Sequence, residues 1–274
     1  MLFLCGIGWA SSTIIIKIFI GEVDPYHLMF GRFIFAFLLL LLMKPEKFIR
    51  CKRREAVISM TLGVIIYAAY ATAILSLKYT TAAKSGFLIA LPVVLVPILQ
   101  LMANRVRPNK WVVFTAGMSV MGLYLVSDMD GIGFNFGDLL AMLSSLAYSI
   151  YIMIVDKVAK TISEYTLVQY QLLTMSLLSL VATGFVGGFH GEILVAGAMP
   201  IIVTGLFGTA MTLYFQVHAQ KVASPESVGL LLLTEPILTF FMAWIILEEA
   251  VSLRGLIGGA IIIAAMVTAI VKKL

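Results

Sequence analysis

The chain is a succession of long apolar runs separated by short polar segments, at roughly 2–20, 26–43, 56–77, 82–103, 110–127, 136–155, 164–186, 196–217, 226–247 and 252–271. A helix rising 1.5 Å per residue crosses about 30 Å of hydrocarbon in about 20 residues, which is the length of these runs. Composition agrees: 61% of the residues are hydrophobic and 12% charged, with a mean hydropathy of +1.06, whereas soluble domains carry about 25% charged residues. The expectation is an all-α integral membrane protein of ten transmembrane helices, with no room in 274 residues for an independent soluble domain. Lys17 interrupts the first run without a small-residue cleavage site after it, so a cleaved signal peptide is not expected.

The net charge of +5 is distributed by side. Lys44, Lys47, Arg50, Lys52, Arg53 and Arg54 lie between runs two and three, and Arg105, Arg107 and Lys110 between four and five. Lys157 and Lys160 follow run six, Lys221 follows run eight, and Lys272 and Lys273 close the chain. The alternate loops carry Glu22 and Asp24, then Asp128 and Asp130, then Glu192, then Glu248 and Glu249; only the short loop near Lys78 departs from this alternation. Basic loops stay cytoplasmic, which predicts a multi-pass protein of the cell inner (plasma) membrane with both termini inside. Nucleic acid is not an expected partner, because the basic loops lack a groove-reading helix or stacking aromatics.

Catalytic and cofactor signatures are missing. Cys5 and Cys51 are the only cysteines and give neither a disulfide expected in the cytoplasm nor a metal site. The three histidines, His27, His190 and His218, are scattered. There is no metalloprotease motif, no phosphate-binding glycine loop and no arguable nucleophile–base pair. Neither an enzyme nor a bound cofactor or metal is expected.

Polar interruptions inside the apolar runs carry the functional signal. Ser224-Pro225 opens run nine as a helix start, and Glu235-Pro236 stands in its middle. A carboxylate at that depth costs about 2.5–3.5 kcal/mol. Pro236 lacks an N–H and frees a carbonyl one turn earlier, which is tolerable only beside protein or a wet cavity. The first half repeats the arrangement: Gly86 precedes Pro92 at the spacing by which Leu230 precedes Pro236, and Trp9 precedes Lys17 as Tyr148 precedes Asp156. Five runs per half is an odd number, so the second copy would be inverted. Inverted repeats with interrupted helices at corresponding places point to a secondary transporter.

With these features the sequence resembles the EamA-type permeases of the drug/metabolite transporter superfamily over nearly its whole length. The marks are Trp9, Lys17, Asp24-Pro25 and Arg32; Lys78-Tyr79-Thr-Thr-Ala-Ala before Pro92; Gly137-Asp138-Leu-Leu-Ala141; Ala219-Gln-Lys, Ser224-Pro225, Glu235-Pro236 and Leu247-Glu248; and Gly255, Gly258 and Gly259. Asn104-Arg105 departs from the Gly-Glu pair that the family often carries after its fourth helix. The resemblance implies two EamA repeats, 1–127 and 136–274, joined by an outer linker 128–135. It also implies a central cavity lined from both halves and alternating access, with export of small metabolites, amino acids or drugs.

Within that frame each candidate has two readings. Glu235 is a proton carrier or a countercharge to substrate, or else a packing carboxylic acid bonded to Thr234, Thr239 or the freed carbonyl. Arg32 binds a substrate carboxylate, or locks one helix to another or snorkels to the outer interface. Lys17 and Lys84 are expected to snorkel, with the start of helix four a possible cavity face. Trp9, Ser12, Tyr70, Tyr148 and Tyr151 are the expected walls of an aromatic cavity, at most one of Gln169 and Gln171 faces it, and Pro92 and Pro236 are the expected gating breaks. The glycines at 117, 122, 255, 258 and 259 serve helix packing or a dimer contact. The expected partners are a small-molecule substrate and the lipid bilayer, with the chain a monomer or homodimer. The function expected is a secondary active exporter with Glu235 as its candidate for proton coupling; the alternatives are an uncoupled facilitator or a membrane receptor or accessory subunit.

Overall fold

A computed structural model of the chain describes residues 1–80, 82–105, 107–126, 135–186, 188, 190–248 and 252–272. The expected linker 128–135, apart from Asn135, and the charges at Asp128, Asp130, Glu249 and Lys273 lie outside the described residues. All regular structure among the described residues is helical. The order is α1 (Leu2–Phe19), α2 (Pro25–Met43), α3 (Pro45–Ile49), α4 (Arg53–Tyr79), α5 (Ala82–Ile89), α6 (Pro92–Asn104), α7 (Lys110–Val126) and α8 (Phe136–Val158). Then come α9 (Glu164–Val186), α10 (Gly191–Ala196), α11 (Ala198–Gly205), a π-helical stretch Leu206–Met211, α12 (Thr212–Ala219), α13 (Pro225–Leu231), α14 (Thr234–Ile246) and α15 (Leu253–Val271).

Nine helical segments among the described residues are long and apolar enough to cross a membrane. The run expected at 110–127 folds as α7, whose 17 residues fall short of the others. It packs along α15, where Gly122 faces the Gly258 carbonyl closely enough that a side chain would not fit. Gly122 and Gly258 therefore serve packing within the chain.

Local signals set the helix starts. Asp24 caps α2 by accepting from the backbone N–H groups of Tyr26 and His27, with Pro25 at the first helical position. Ser224 caps α13 by accepting from Ser227 N at 3.2 Å. Asn135 and Asp138 form a reciprocal capping box on α8.

The two expected breaks are present and share one device. Pro92 and Pro236 cannot donate to Leu88 and Leu232, and in each case the residue before the proline donates instead. Leu91 N reaches Leu88 O at 3.4 Å and Glu235 N reaches Leu232 O at 3.0 Å. Each proline thus leaves a tight turn rather than an orphaned carbonyl, as a low-dielectric environment demands.

Both snorkelling expectations are overturned. Lys17 donates to the carbonyls of Leu77 (3.2 Å) and Thr80 (3.5 Å), closing the C-terminal end of α4, where a cation complements the exposed carbonyls. Lys84 is buried and pairs with Asp138 at 2.6 Å, each side chain 1% exposed. Asp138 also accepts from Thr80 Oγ1 at 3.0 Å and from Asn135 N at 2.8 Å. A carboxylate this well supplied with donors holds the ammonium inside more cheaply than the stem could carry it to the interface.

Removing one partner of this pair strands a buried charge, which costs about 3–5 kcal/mol. Lys84→Met is therefore expected to lower the thermal midpoint of the detergent-solubilised protein sharply, and Lys84→Met with Asp138→Asn, which removes the stranded charge and keeps an acceptor for the cap, to recover part of the loss. Equal midpoints for the single and double variants would refute a paired role.

Candidate functional site

A cavity of about 100 Å³ opens between the helices at the level of the two proline breaks. Its wall comes from α1, α2, α4, α5 and the start of α6 in the first half and from α8 and α14 in the second. Trp9, Ser12, Arg32, Tyr70, Pro92, Tyr148 and Glu235 all border it. One expected wall residue, Tyr151, does not. Tyr151 is fully buried behind Tyr148, stacked on it at 5.8 Å and donating to Gln171 Oε1 at 3.0 Å. Pro236 is buried just behind Glu235, so it shapes the backbone without facing the cavity. Neither Gln169 nor Gln171 reaches the space: Gln169 donates to the Leu40 and Lys44 carbonyls instead.

The cationic wall is built on the π-helical stretch, which no sequence signal announced. Widening one turn to π geometry lets Thr209 Oγ1 donate to Thr204 O, five residues back, at 2.9 Å. The Gly208 carbonyl then turns to Arg32. The guanidinium donates through Nε (2.9 Å) and Nη2 (2.8 Å) to Thr209 Oγ1, and through Nη2 to Gly208 O at 3.1 Å. The same guanidinium carbon lies 5.4 Å from the Tyr70 ring centroid and 5.6 Å from that of Phe33, each contact worth about 0.5–2 kcal/mol. No carboxylate pairs with Arg32 among the described residues. Its Nη1 carries none of the hydrogen bonds made there.

Close backbone approach fixes this corner. A Cβ on Gly208 would lie 2.5 Å from Ser12 Cβ and Oγ, so only glycine lets α1 lie against the π-helical stretch. Ser12 is 4% exposed, and among the described residues its hydroxyl has no hydrogen-bond partner.

The acidic wall is Glu235, half-buried on the first turn of α14. None of the hydrogen bonds or ion pairs among the described residues uses its carboxyl, so the expected packing bond to Thr239 or to the freed carbonyl is not formed. That carbonyl, of Leu232, is occupied by Glu235's own backbone N–H. Glu235 shares the cavity lining with Tyr70 and Tyr148. Between the walls stand the aromatics. Trp9 Nε1 donates to Tyr70 Oη at 2.8 Å, Tyr70 in turn reaches Gly208 O at 3.5 Å, and the Trp9 ring meets Tyr148 edge-on at 6.0 Å. An aromatic enclosure with a guanidinium on one side and a carboxyl on another suits a small, partly apolar organic molecule. Among the described residues no group of three or more His, Cys, Asp or Glu side chains is placed to hold a metal ion.

The family is decided by the whole length of the chain. The EamA-like transporter family matches residues 1–128 and 135–271. The chain belongs to that family. An uncharacterized transporter of Archaeoglobus fulgidus is 27% identical over 286 residues, covering 97% of this chain and 94% of that protein. A second uncharacterized transporter of the same organism is 23% identical, covering 96% of this chain and 82% of its own length. A crystal structure, titled only as that of a protein, superposes with a TM-score of 0.76 at 18% identity, over 98% of this chain and 95% of its own, and shares its fold. This EamA-family protein is thus a multi-pass membrane transporter, and its cavity is where its function is to be sought.

Gly208→Ala is expected to cost about 1–3 kcal/mol through overpacking against Ser12. Thermal denaturation followed by tryptophan fluorescence should report both the loss of stability and an altered Trp9 environment. An unshifted midpoint would mean that α1 does not lie against the π-helical stretch as described.

Proposed function

We propose that the protein is a secondary carrier that exports small organic metabolites, such as amino acids or drugs, by alternating access, with proton coupling through Glu235. The observation that carries this reading is a cavity bordered by both halves of the chain in which the Glu235 carboxyl and Arg32 Nη1 have no protein partner among the described residues. Charged groups at membrane depth are costly, so two left open to one small space mark a pathway.

Ten helices in two inverted halves, 1–127 and 136–274, with 128–135 as the outer linker, fit the packing. Helix α1 lies against the broken α13–α14, as α8 lies against the broken α5–α6. Helix α4 packs on α8 as the α11–α12 segment packs on α1, and α4 packs on α9 as α11 packs on α2. Exchanging the halves maps each pairing onto its counterpart, which supports a two-fold repeat, and five spans per half would make that repeat inverted. In this reading α7 is the tenth span. The breaks before Pro92 and at Glu235-Pro236 are the gates, and Lys84–Asp138 closes the outer end. The membrane is the cell inner (plasma) membrane and both termini are cytoplasmic, by the distribution of basic loops.

Counterflow into sealed proteoliposomes tests the function, using amino acids, purines and organic cations, with and without an imposed pH gradient. Saturable uptake of one class is expected, driven by the gradient in wild type, with Glu235→Gln retaining exchange only. Identical behaviour of the two proteins assigns Glu235 a structural role and leaves an uncoupled facilitator. Absence of flux in folded protein favours a receptor or accessory subunit.

The native cysteines test the topology. Cys5 is fully buried, whereas Cys51 is partly accessible, beside the basic cytoplasmic segment of this topology. Partial burial and the neighbouring Glu55 carboxylate raise the Cys51 thiol above its ordinary range, so labelling calls for mildly alkaline buffer. A membrane-impermeant maleimide is expected to label Cys51 in inside-out vesicles and not in intact cells. The opposite pattern would invert the topology.

A further inference from the structure

A chain of buried side-chain amides runs from the cavity wall along α12. Tyr148 Oη lies 2.6 Å from Gln216 Oε1, Gln216 Nε2 lies 3.3 Å from Gln220 Oε1, and Gln220 Nε2 lies 3.1 Å from the carbonyl oxygen of Ile152. Both glutamines are fully buried. The last link fixes all the others. A backbone carbonyl only accepts, so Gln220 must turn its NH₂ toward Ile152 and its oxygen toward Gln216. Gln216 must then give its NH₂ to that oxygen and its own oxygen to Tyr148. Reversing the chain would set Gln220 Oε1 against Ile152 O, two acceptors facing each other in a buried place.

The consequence falls on Tyr148. Its single hydroxyl proton is committed to Gln216, so only lone pairs remain for whatever enters the cavity. Glu235, Tyr148 and Trp9 border the same cavity of about 100 Å³, and the Trp9 ring meets the Tyr148 ring edge-on at 6.0 Å. A carboxyl, a hydroxyl lone pair and π-faces therefore line that space together with the donors of Arg32. We propose that Gln216, oriented by Gln220, holds Tyr148 as an acceptor toward the cavity and so makes the Glu235 wall selective for a cationic hydrogen-bond donor, the ammonium group of a small amine. The inference rests on the reading of this cavity as the substrate site. Gln216 is a positioning residue: it has no place in the lining and acts through Tyr148.

The test compares two probes of matched shape and opposite charge, 2-phenylethylamine and 3-phenylpropionate. Full-length protein in nanodiscs carries Trp111→Phe and Trp244→Phe, so that Trp9 alone reports binding. In this otherwise wild-type background the amine is expected to bind about tenfold tighter than the carboxylate, as for a charge-assisted bond gained on one probe and lost on the other. Gln216→Met frees the Tyr148 hydroxyl to rotate and donate, and is expected to bring the two affinities within about threefold. Gln220→Leu leaves the Tyr148–Gln216 contact available but frees Gln216 to reverse, so it should shrink the ratio in the same direction. With Tyr148→Phe present, adding Gln216→Met should leave the ratio unmoved, because the two act as one unit.

An amine preference that survives both Gln216→Met and Gln220→Leu overturns the relay, and so does a parent protein that does not prefer the amine. Loss of saturable binding by both probes in that parent overturns it as well. Counterflow separates that failure from failure of the carrier reading: flux persists if only the relay is wrong and disappears if the carrier assignment is.

Discussion

Inside a bilayer a polar group has no water to turn to, and the architecture follows from how each such group finds a partner within the protein. A continuous helix meets the requirement by itself. Every interruption has to meet it some other way, and the interruptions are what create the cavity. At Leu91 and Glu235 the residue before the proline donates to the carbonyl the proline abandons. At Leu206–Met211 the widened turn lets Thr209 close onto Thr204 and presents the Gly208 carbonyl to Arg32. Two of the three irregular places border the same small space through Pro92 and Glu235, and the third anchors Arg32, which also lies on its wall.

That constraint also explains the two fates of buried charge. Lys84 and Asp138 are satisfied: ion pair, Thr80 hydroxyl and Asn135 N–H together occupy the carboxylate, and the contact ties the half-helix α5 to the start of α8. Arg32 and Glu235 are different. The guanidinium is anchored by backbone and hydroxyl oxygen without a countercharge, and the carboxyl is left to the cavity. Lys84 and Asp138 are paired with each other, whereas among the described residues Arg32 and Glu235 have no ion-pair partner and both border open space. This distinction rests on geometry, since all four residues are ionisable groups within apolar runs.

Much of the site was legible because the penalty for a polar residue at membrane depth is large enough to show in a single sequence. Glu235 stood out in run nine and Arg32 in run two, and both border the cavity. Tyr148 and Tyr151, three apart, were both expected to line it. Their side chains diverge enough that Tyr148 faces the space while Tyr151 turns behind it to Gln171. Lys17 and Lys84 misled for a related reason. A long stem reaches an interface from many depths, and nothing local shows that a carboxylate 54 residues away or a helix end 60 residues away is nearer.

The sequence by itself determined the helical class, the approximate spans, the proline breaks, the helix caps and the presence of costly polar groups, because each is set by residues within a turn or two of one another. The tertiary structure decided which of those groups meet. The π-helical stretch has no compositional mark, since its extra residue is accommodated by Arg32 arriving from a helix 177 residues earlier. The Tyr148–Gln216–Gln220 order likewise depends on the glutamines after Met211 reaching α8, with the Ile152 carbonyl at the end of the chain. Contacts of that range come from packing, and the direction of each hydrogen bond is fixed only when the last acceptor in the chain is in place.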